Sequence, residues 1–259
     1  KDRGAIAPGL RADCFITSSI DHIKAEDVFI LGQKVASNGV IKEKAFHTIP
    51  EKVSGMMNVK DFSKDKLRLK LEKDEVNIID IIPGGVVTGR SVEKVNRDSD
   101  GCFIHDSSKD ILKLAVVERH HGTGNVGLAL IRGYGMKDGA VATSIAHDSH
   151  NIIVIGSNDE DMVVAVNELI RLGGGITMVK DKKVLMSHRL EIAGLMTDDS
   201  QDEACKTLDE MHAIWDRELH VNKDIDPFMT LCFMALPVIP ELKLTDTGLF
   251  DVTAFKHIP

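Results

Sequence analysis

The sequence predicts an α+β protein: a mostly antiparallel sheet with packed helices, preceded by a small β unit. Three observations carry this reading. Short β-branched, apolar runs recur at regular intervals from Leu67 onward, separated by glycine-rich turns. Three later segments switch to a helical period and open on capping signals. A polar, irregular stretch at 49–66 sets the first unit apart from the rest.

In chain order, residues 1–48 form the first unit. A turn at 3–9 leads to a short strand at 12–16, and 27–36 reads as a hairpin turning at Gly32-Gln33. Residues 49–66 are expected to be a linker, and 67–259 the α+β domain. Its strands are expected at 77–82, ending at Pro83-Gly84-Gly85, then at 86–89, 110–117, 126–132, 140–145 and 152–155. Ser157 and Glu160 have capping-box spacing, and Met162, Val166, Leu169 and Ile170 share one face of the helix that follows. Gly173-Gly174-Gly175 ends that helix with a left-handed cap, and 176–186 makes a hairpin around Asp181-Lys182-Lys183. Ser200 and Glu203 form a second capping box. The acidic run 198–203 favours a helix N-terminus, and Ala204, Leu208, Met211 and Trp215 are the buried stripe. Asp226-Pro227 starts a third helix running to about Ala235, which Pro237 and Pro240 stop.

Composition narrows the function. A net charge of −8 argues against nucleic acid or an anionic membrane as the main partner. One Trp and one Tyr cannot build a base-stacking platform, and no run approaches the ~20 apolar residues of a membrane helix. The four cysteines, Cys14, Cys102, Cys205 and Cys232, are scattered without a C-x-x-C pair. That argues against a disulfide framework or zinc knuckle and fits a reducing cytoplasm. Cys205 and Cys232 lie in apolar helical patterns, where thiols are commonly buried. The chain opens KDRGAIAPG without an initiator Met or leader, and it is expected to be the inside of a longer polypeptide.

Chemistry-bearing residues concentrate between 117 and 156. Four of the eleven histidines, His120, His121, His147 and His150, sit there in two clusters, HHGTGN and HDSHN. Each lies beside an apolar strand pattern, with Gly133, Gly135 and Gly139 turning the chain between them, so the two are expected to come close in space. Together with ERHHGTGN at 118–125 and SIAHDSHN at 144–151, the segments DPFMT at 226–230 and LPVIPELKLTDTGL at 236–249 closely resemble the carboxyl-terminal part of bacterial adenine deaminases, members of the amidohydrolase superfamily. The resemblance runs over nearly the whole chain. The G-x-I-x-P-G-x-x-A-D pattern at 4–13 is similar to the point where amidohydrolases leave their barrel and re-enter a small β-sandwich. Residues 1–48 are therefore expected to be part of such a sandwich, with an incomplete core.

The resemblance implies an enzyme of purine salvage that hydrolyses adenine to hypoxanthine and ammonia, using manganese or iron in a β/α barrel and working as a homo-oligomer. Such chemistry needs an activated water and a proton donor to the ring nitrogen. The chain contains no H-x-H, H-E-x-x-H or H-x-E with P-C-x-x-C pattern. The metal-binding barrel is thus expected to precede Lys1, and none of the family's ligands transfers to a position here.

Three readings of the clusters stay open. His120, His121, His147 and Asp148 could supply a metal site of their own, making the chain a self-sufficient metallohydrolase. The side chains could instead cap strands and pack within a structural or oligomerising domain. Or His120, His121, Asn125, His147, Asp148, His150 and Asn151 support or close an active site carried by the barrel. An extended 146–151 would put His147 and Ser149 on one side and Asp148 and His150 on the other, whereas a helical turn would pair His147 with His150. Thr123 and Asn125, in a glycine-flanked turn, suit a small anion or a purine edge. Gly173–Gly175 follows a helix instead of opening one and lacks the ending of a phosphate loop. Arg90 and Arg119 are candidates for pairing with carboxylates.

Overall fold

The protein is described by a computed structural model covering residues 2–42 and 51–259. Lys1, the end of the expected first unit at 43–48 and the first two residues of the expected linker lie outside the described residues. The chain divides into two compact units, Lys1–Thr48 and Ile49–Pro259.

In the first unit, β1 (Cys14–Ile16), β2 (Asp27–Ile30), β3 (Gln33–Ser37) and β4 (Val40–Ile41) form an antiparallel sheet in that order. The β2–β3 turn falls one residue earlier than expected, because Leu31 and Gly32 both take positive φ and Gln33 already pairs with Ile30.

The second unit is α+β around an eight-stranded sheet. Its members are β5 (Glu75–Ile81), β6 (Thr88–Lys94), β9 (Ile111–Val117), β10 (Val126–Arg132), β11 (Ala140–Thr143), β12 (Ile152–Gly156), β13 (Gly175–Lys180) and β14 (Lys183–Arg189). Their order is β14-β13-β11-β12-β9-β10-β5-β6. β5 and β10 run parallel, and the remaining neighbours are antiparallel. β9 is buried from end to end. Ala115 and Val117 meet Met162, Ala165, Val166 and Leu169 of α1 (Asp159–Leu172) on one face. Leu112, Leu114 and Val116 belong to the opposite core, with Met211 of α2 (Gln201–Ile214), Trp215 and Leu231 of α3 (Pro227–Cys232). Burying both faces removes the apolar–polar alternation, so these strands read as continuous apolar runs. Lys113 lies within the run, yet its Nζ donates to the Leu67 carbonyl at 2.7 Å and pairs with Asp159. Among the described residues no helix is long and apolar enough to cross a membrane.

Several elements differ from the sequence reading. The strand after Pro83-Gly84-Gly85 is β6, extending through the polar Arg90–Lys94 stretch; as an edge strand it can present polar groups to water. Asn158, not Ser157, caps α1 by accepting from the Asp161 amide at 2.8 Å, while Ser157 Oγ accepts from Gly139 N at 3.1 Å. The Ser200–Glu203 capping box forms on α2, and a π-helical turn at Trp215–Leu219 follows it. Within α2, Cys205 is exposed, because the helix buries only a narrow stripe. α3 ends at Cys232, three residues early, where the Met234 carbonyl accepts from the Leu244 amide at 2.9 Å and so leaves the helical pattern. That amide belongs to an antiparallel sheet the periodicity did not reveal: β15 (Leu242–Thr245), β16 (Gly248–Asp251) and β17 (Lys256–His257). The short pair β7 (Asn96–Arg97) and β8 (Phe103–Ile104) was likewise not expected.

Residues 51–66 lie along the domain. Ser54 bridges to Ile192, and the Val53 carbonyl accepts from Ala193 N at 2.6 Å. The three consecutive glycines do more here than end α1. A Cβ on Gly173 would lie 2.8 Å from Gly55 Cα, and one on Gly174 would lie 2.3 Å from Gly194 Cα. Two chain segments cross there at backbone contact.

Gly174→Ala should therefore destabilise the unit by about 3 kcal/mol, combining a φ of +123° with a backbone collision. Urea unfolding should show a lower midpoint at unchanged slope. An unshifted midpoint would contradict the close crossing.

Candidate functional site

Register brings the two histidine clusters together. Val117 at the end of β9 pairs with Ile152 of β12 on one side and Val126 of β10 on the other. The residues just after 117, just before 152 and just before 126 therefore emerge at one end of the sheet. These are Glu118 and Arg119, His150 and Asn151, and Asn125.

Glu118 builds the HHGTGN loop. Its carboxylate accepts from the amides of His120 at 2.5 Å, His121 at 2.7 Å and Thr123 at 2.9 Å, and from Thr123 Oγ1 at 3.1 Å. Gly122 and Gly124 take positive φ, which folds the loop back on the carboxylate. Burial on its own would push the acid up, but the backbone donors of Thr123, His121 and His120 outweigh it and hold Glu118 down at about 2.

Arg119 points the other way. It is 1% exposed. Its guanidinium donates to the Met56 carbonyl at 2.7 Å, to the Ala193 carbonyl at 3.0 Å and to the His150 carbonyl. Its own amide donates to Asn151 Oδ1 at 3.3 Å, and its carbonyl accepts from Asn58 N at 2.9 Å. The expected carboxylate partner is not there: backbone carbonyls take its place, and burial alone lowers its pKa to about 10. Arg90 does meet a carboxylate, Asp251, at 2.9 Å.

The HDSHN segment is a turn, neither extended nor helical, with His150 at φ +51°. His147 and His150 have ring centroids 6.4 Å apart. His147 stacks on Phe233 at 4.8 Å, and its Nδ1 lies 3.0 Å from Asp148 Oδ1, the arrangement in which Nδ1 donates and Nε2 keeps its lone pair. The His147 and Asp148 side chains are 47% and 82% exposed. Burial first, then the nearby Arg119 charge and the rings of His147 and His120, lowers the His150 pKa, with Asp148 opposing.

The clusters meet directly: His120 Nε2 donates to the Ser149 carbonyl at 2.8 Å. His121 is exposed beside it, with ring centroids 6.3 Å apart. Asn125 turns away toward the β15–β16 hairpin, where its Nδ2 donates to Asp246 Oδ2 at 3.1 Å. Lys66 Nζ donates to the Gly124 carbonyl at 2.6 Å on the same side. Asn151 is buried under Arg119.

Among the described residues, no three His, Cys, Asp or Glu side chains converge to hold a metal ion. His120 Nδ1 and His147 Nε2 stay clear of these internal hydrogen bonds, but without three ligands brought to one point the described residues do not fit a manganese or iron centre. Glu118, Asn58, Phe233 and Asp246 were absent from the sequence reading of the site. For Glu118 the signal was present: a carboxylate two residues before a five-residue stretch, 120–124, that holds two glycines.

Comparison with known proteins adds the following. The family model for the adenine deaminase C-terminal domain matches residues 85–256. The chain is 49% identical over 259 residues to adenine deaminase 2 of Desulfotalea psychrophila, an alignment covering 100% of this chain and 45% of that protein. It is 46% identical to the adenine deaminase of Ligilactobacillus salivarius, covering 97% of this chain and 43% of that protein. The corresponding values for the adenine deaminase of Halalkalibacterium halodurans are 45%, 99% and 44%. The chain thus spans less than half the length of these relatives. Met56, Asn58 and Lys66, which help build the site, precede the first residue of the family match.

Glu118→Gln should remove a charge-assisted cluster. A folded pKa near 2 against an ordinary 4.5 corresponds to about 3 kcal/mol at neutral pH. That stability is present above about pH 4.5 and is lost as pH falls toward 2. Urea titrations should show the variant less stable at pH 7, with the gap closing on acidification. A gap independent of pH would show that the carboxylate charge is not what holds the loop.

Proposed function

The chain belongs to the adenine deaminase family through its C-terminal domain, and on that footing we propose that it is the carboxyl-terminal part of an enzyme hydrolysing adenine to hypoxanthine and ammonia. Its part in that reaction is to support and close an active site carried by an amidohydrolase barrel, which would supply the manganese or iron centre. The observation supporting this reading is the pair of histidine loops set side by side at one end of a rigid sheet, with the His120, His121 and His147 side chains exposed.

The seven candidate residues divide by what they touch. His121, His147 and Asp148 are open to solvent and form the face that would meet a substrate-bearing surface. With Asp148 on Nδ1, His147 offers Nε2 to a donor such as an amino group, and Phe233 supports its ring. His120, Asn125 and Asn151 through their side chains, and His150 through its main-chain carbonyl, are engaged within the fold and position that face. Covering the face would exclude water from the reaction and strengthen its polar contacts. A structural role is favoured for Asn125 and Asn151, whose side chains bond internally and are not exposed.

In the full-length enzyme, His147→Ala and His150→Asn should each lower adenine deamination by about tenfold or more while leaving the far-UV spectrum and unfolding midpoint intact. Asn is chosen at 150 because it tolerates positive φ. Unchanged activity in both variants would sink the closure role. The chain alone, supplied with manganese, should release no ammonia from adenine. Chelator-sensitive release would locate the metal site within these residues instead.

A further inference from the structure

We propose that Arg119 is a positioning residue: its buried guanidinium ties three separate segments to the strand carrying HHGTGN, so that the two histidine loops are held, and released, as one unit. The three segments are 54–58, 147–151 and 192–196. Each contributes a main-chain carbonyl, from Met56, His150 and Ala193, to a different nitrogen of the same planar group. The backbone of Arg119 adds two further ties, to Asn58 and Asn151.

Two features mark the arrangement as built for position and not for stability alone. The charge has no ion pair among the described residues, although the group is almost wholly buried. A buried cation balanced only by carbonyl dipoles is a poor stabiliser next to a well-packed apolar side chain. What it does supply is geometry: the guanidinium donates in several fixed directions within one plane, which an ammonium cannot reproduce. The surrounding backbone is also cleared for it. A Cβ on Gly194 would come within 3.2 Å of the guanidinium, and Gly194 itself crosses Gly174 at backbone contact. Removing the clamp leaves three carbonyls from three segments without their shared donor, so the segments should loosen together.

The clamp stands on this geometry alone; only its catalytic consequence rests on the reading of the histidine face given above. The test is hydrogen exchange on the intact chain, comparing the parent with Arg119→Lys. Amides in 54–58, 147–151 and 192–196 should exchange about tenfold faster or more, all three together, with β9 to β12 unchanged. Acceleration in none or only one of the three, or equally across the whole domain, would overturn the proposal. If the variant does not fold, the guanidinium protons of the unaltered chain decide the matter by NMR. Slow exchange and separate Nη signals are expected, and rapid, averaged signals would overturn it. In the full-length deaminase, Arg119→Lys should lower kcat about tenfold with a smaller change in KM. Concerted loosening with unchanged turnover would leave the clamp standing and refute the active-site role of the face.

Discussion

The placement of the two histidine loops follows from β9 being buried along its whole length. A strand covered on one face by α1 and on the other by the α2–α3 core has no place for chemistry within it. Lys113 is tolerated because a carbonyl and Asp159 receive it. Polar function is displaced to the strand ends, and register decides which ends meet. With Val117 between Ile152 and Val126, the segments at 118–119, 150–151 and 125 have one place to go.

At that place two neighbouring residues of opposite charge ignore each other. Glu118 gathers main-chain N–H groups from its own loop, and Arg119 gives to main-chain carbonyls from three other segments. Successive residues leaving a strand point to opposite sides, so a direct pair between them was sterically remote. The outcome is a division of labour. Glu118 fixes the internal shape of one loop, and Arg119 fixes where that loop sits relative to the others.

How much of this was legible in the sequence depends on the range of the cause. The strands from 110 to 155 were readable because double-sided burial writes itself as unbroken apolar runs. The Ser200 capping box and the Asp226-Pro227 helix start were readable because caps act over three residues. The β15–β16 hairpin was not, since four-residue strands flanked by Pro240 and a Thr-Asp-Thr-Gly turn carry too little period. The glycine triplet was read as a helix stop, which it is at Gly173. Its second cause, the crossing of Gly55 and Gly194, lies in residues far along the chain. The partners of Arg119 were out of reach for the same reason: carbonyls have no side-chain identity, so no residue type announces them.

That asymmetry bears on how a shared motif should be read. ERHHGTGN and SIAHDSHN identify the family as strings, yet the structure uses their members for different ends. Glu118, Arg119, Asn125 and Asn151 are consumed by the fold, while His121, His147 and Asp148 face water. An imidazole–carboxylate pair as exposed as His147 and Asp148 is weak in bulk solvent, where interactions between charges are strongly attenuated. It gains force only when something apolar or close-fitting covers it. Under the proposed function the rigid mounting and the exposure are therefore two halves of one requirement. The groups must be held still enough to meet a surface in register, and left open enough that covering them changes their environment.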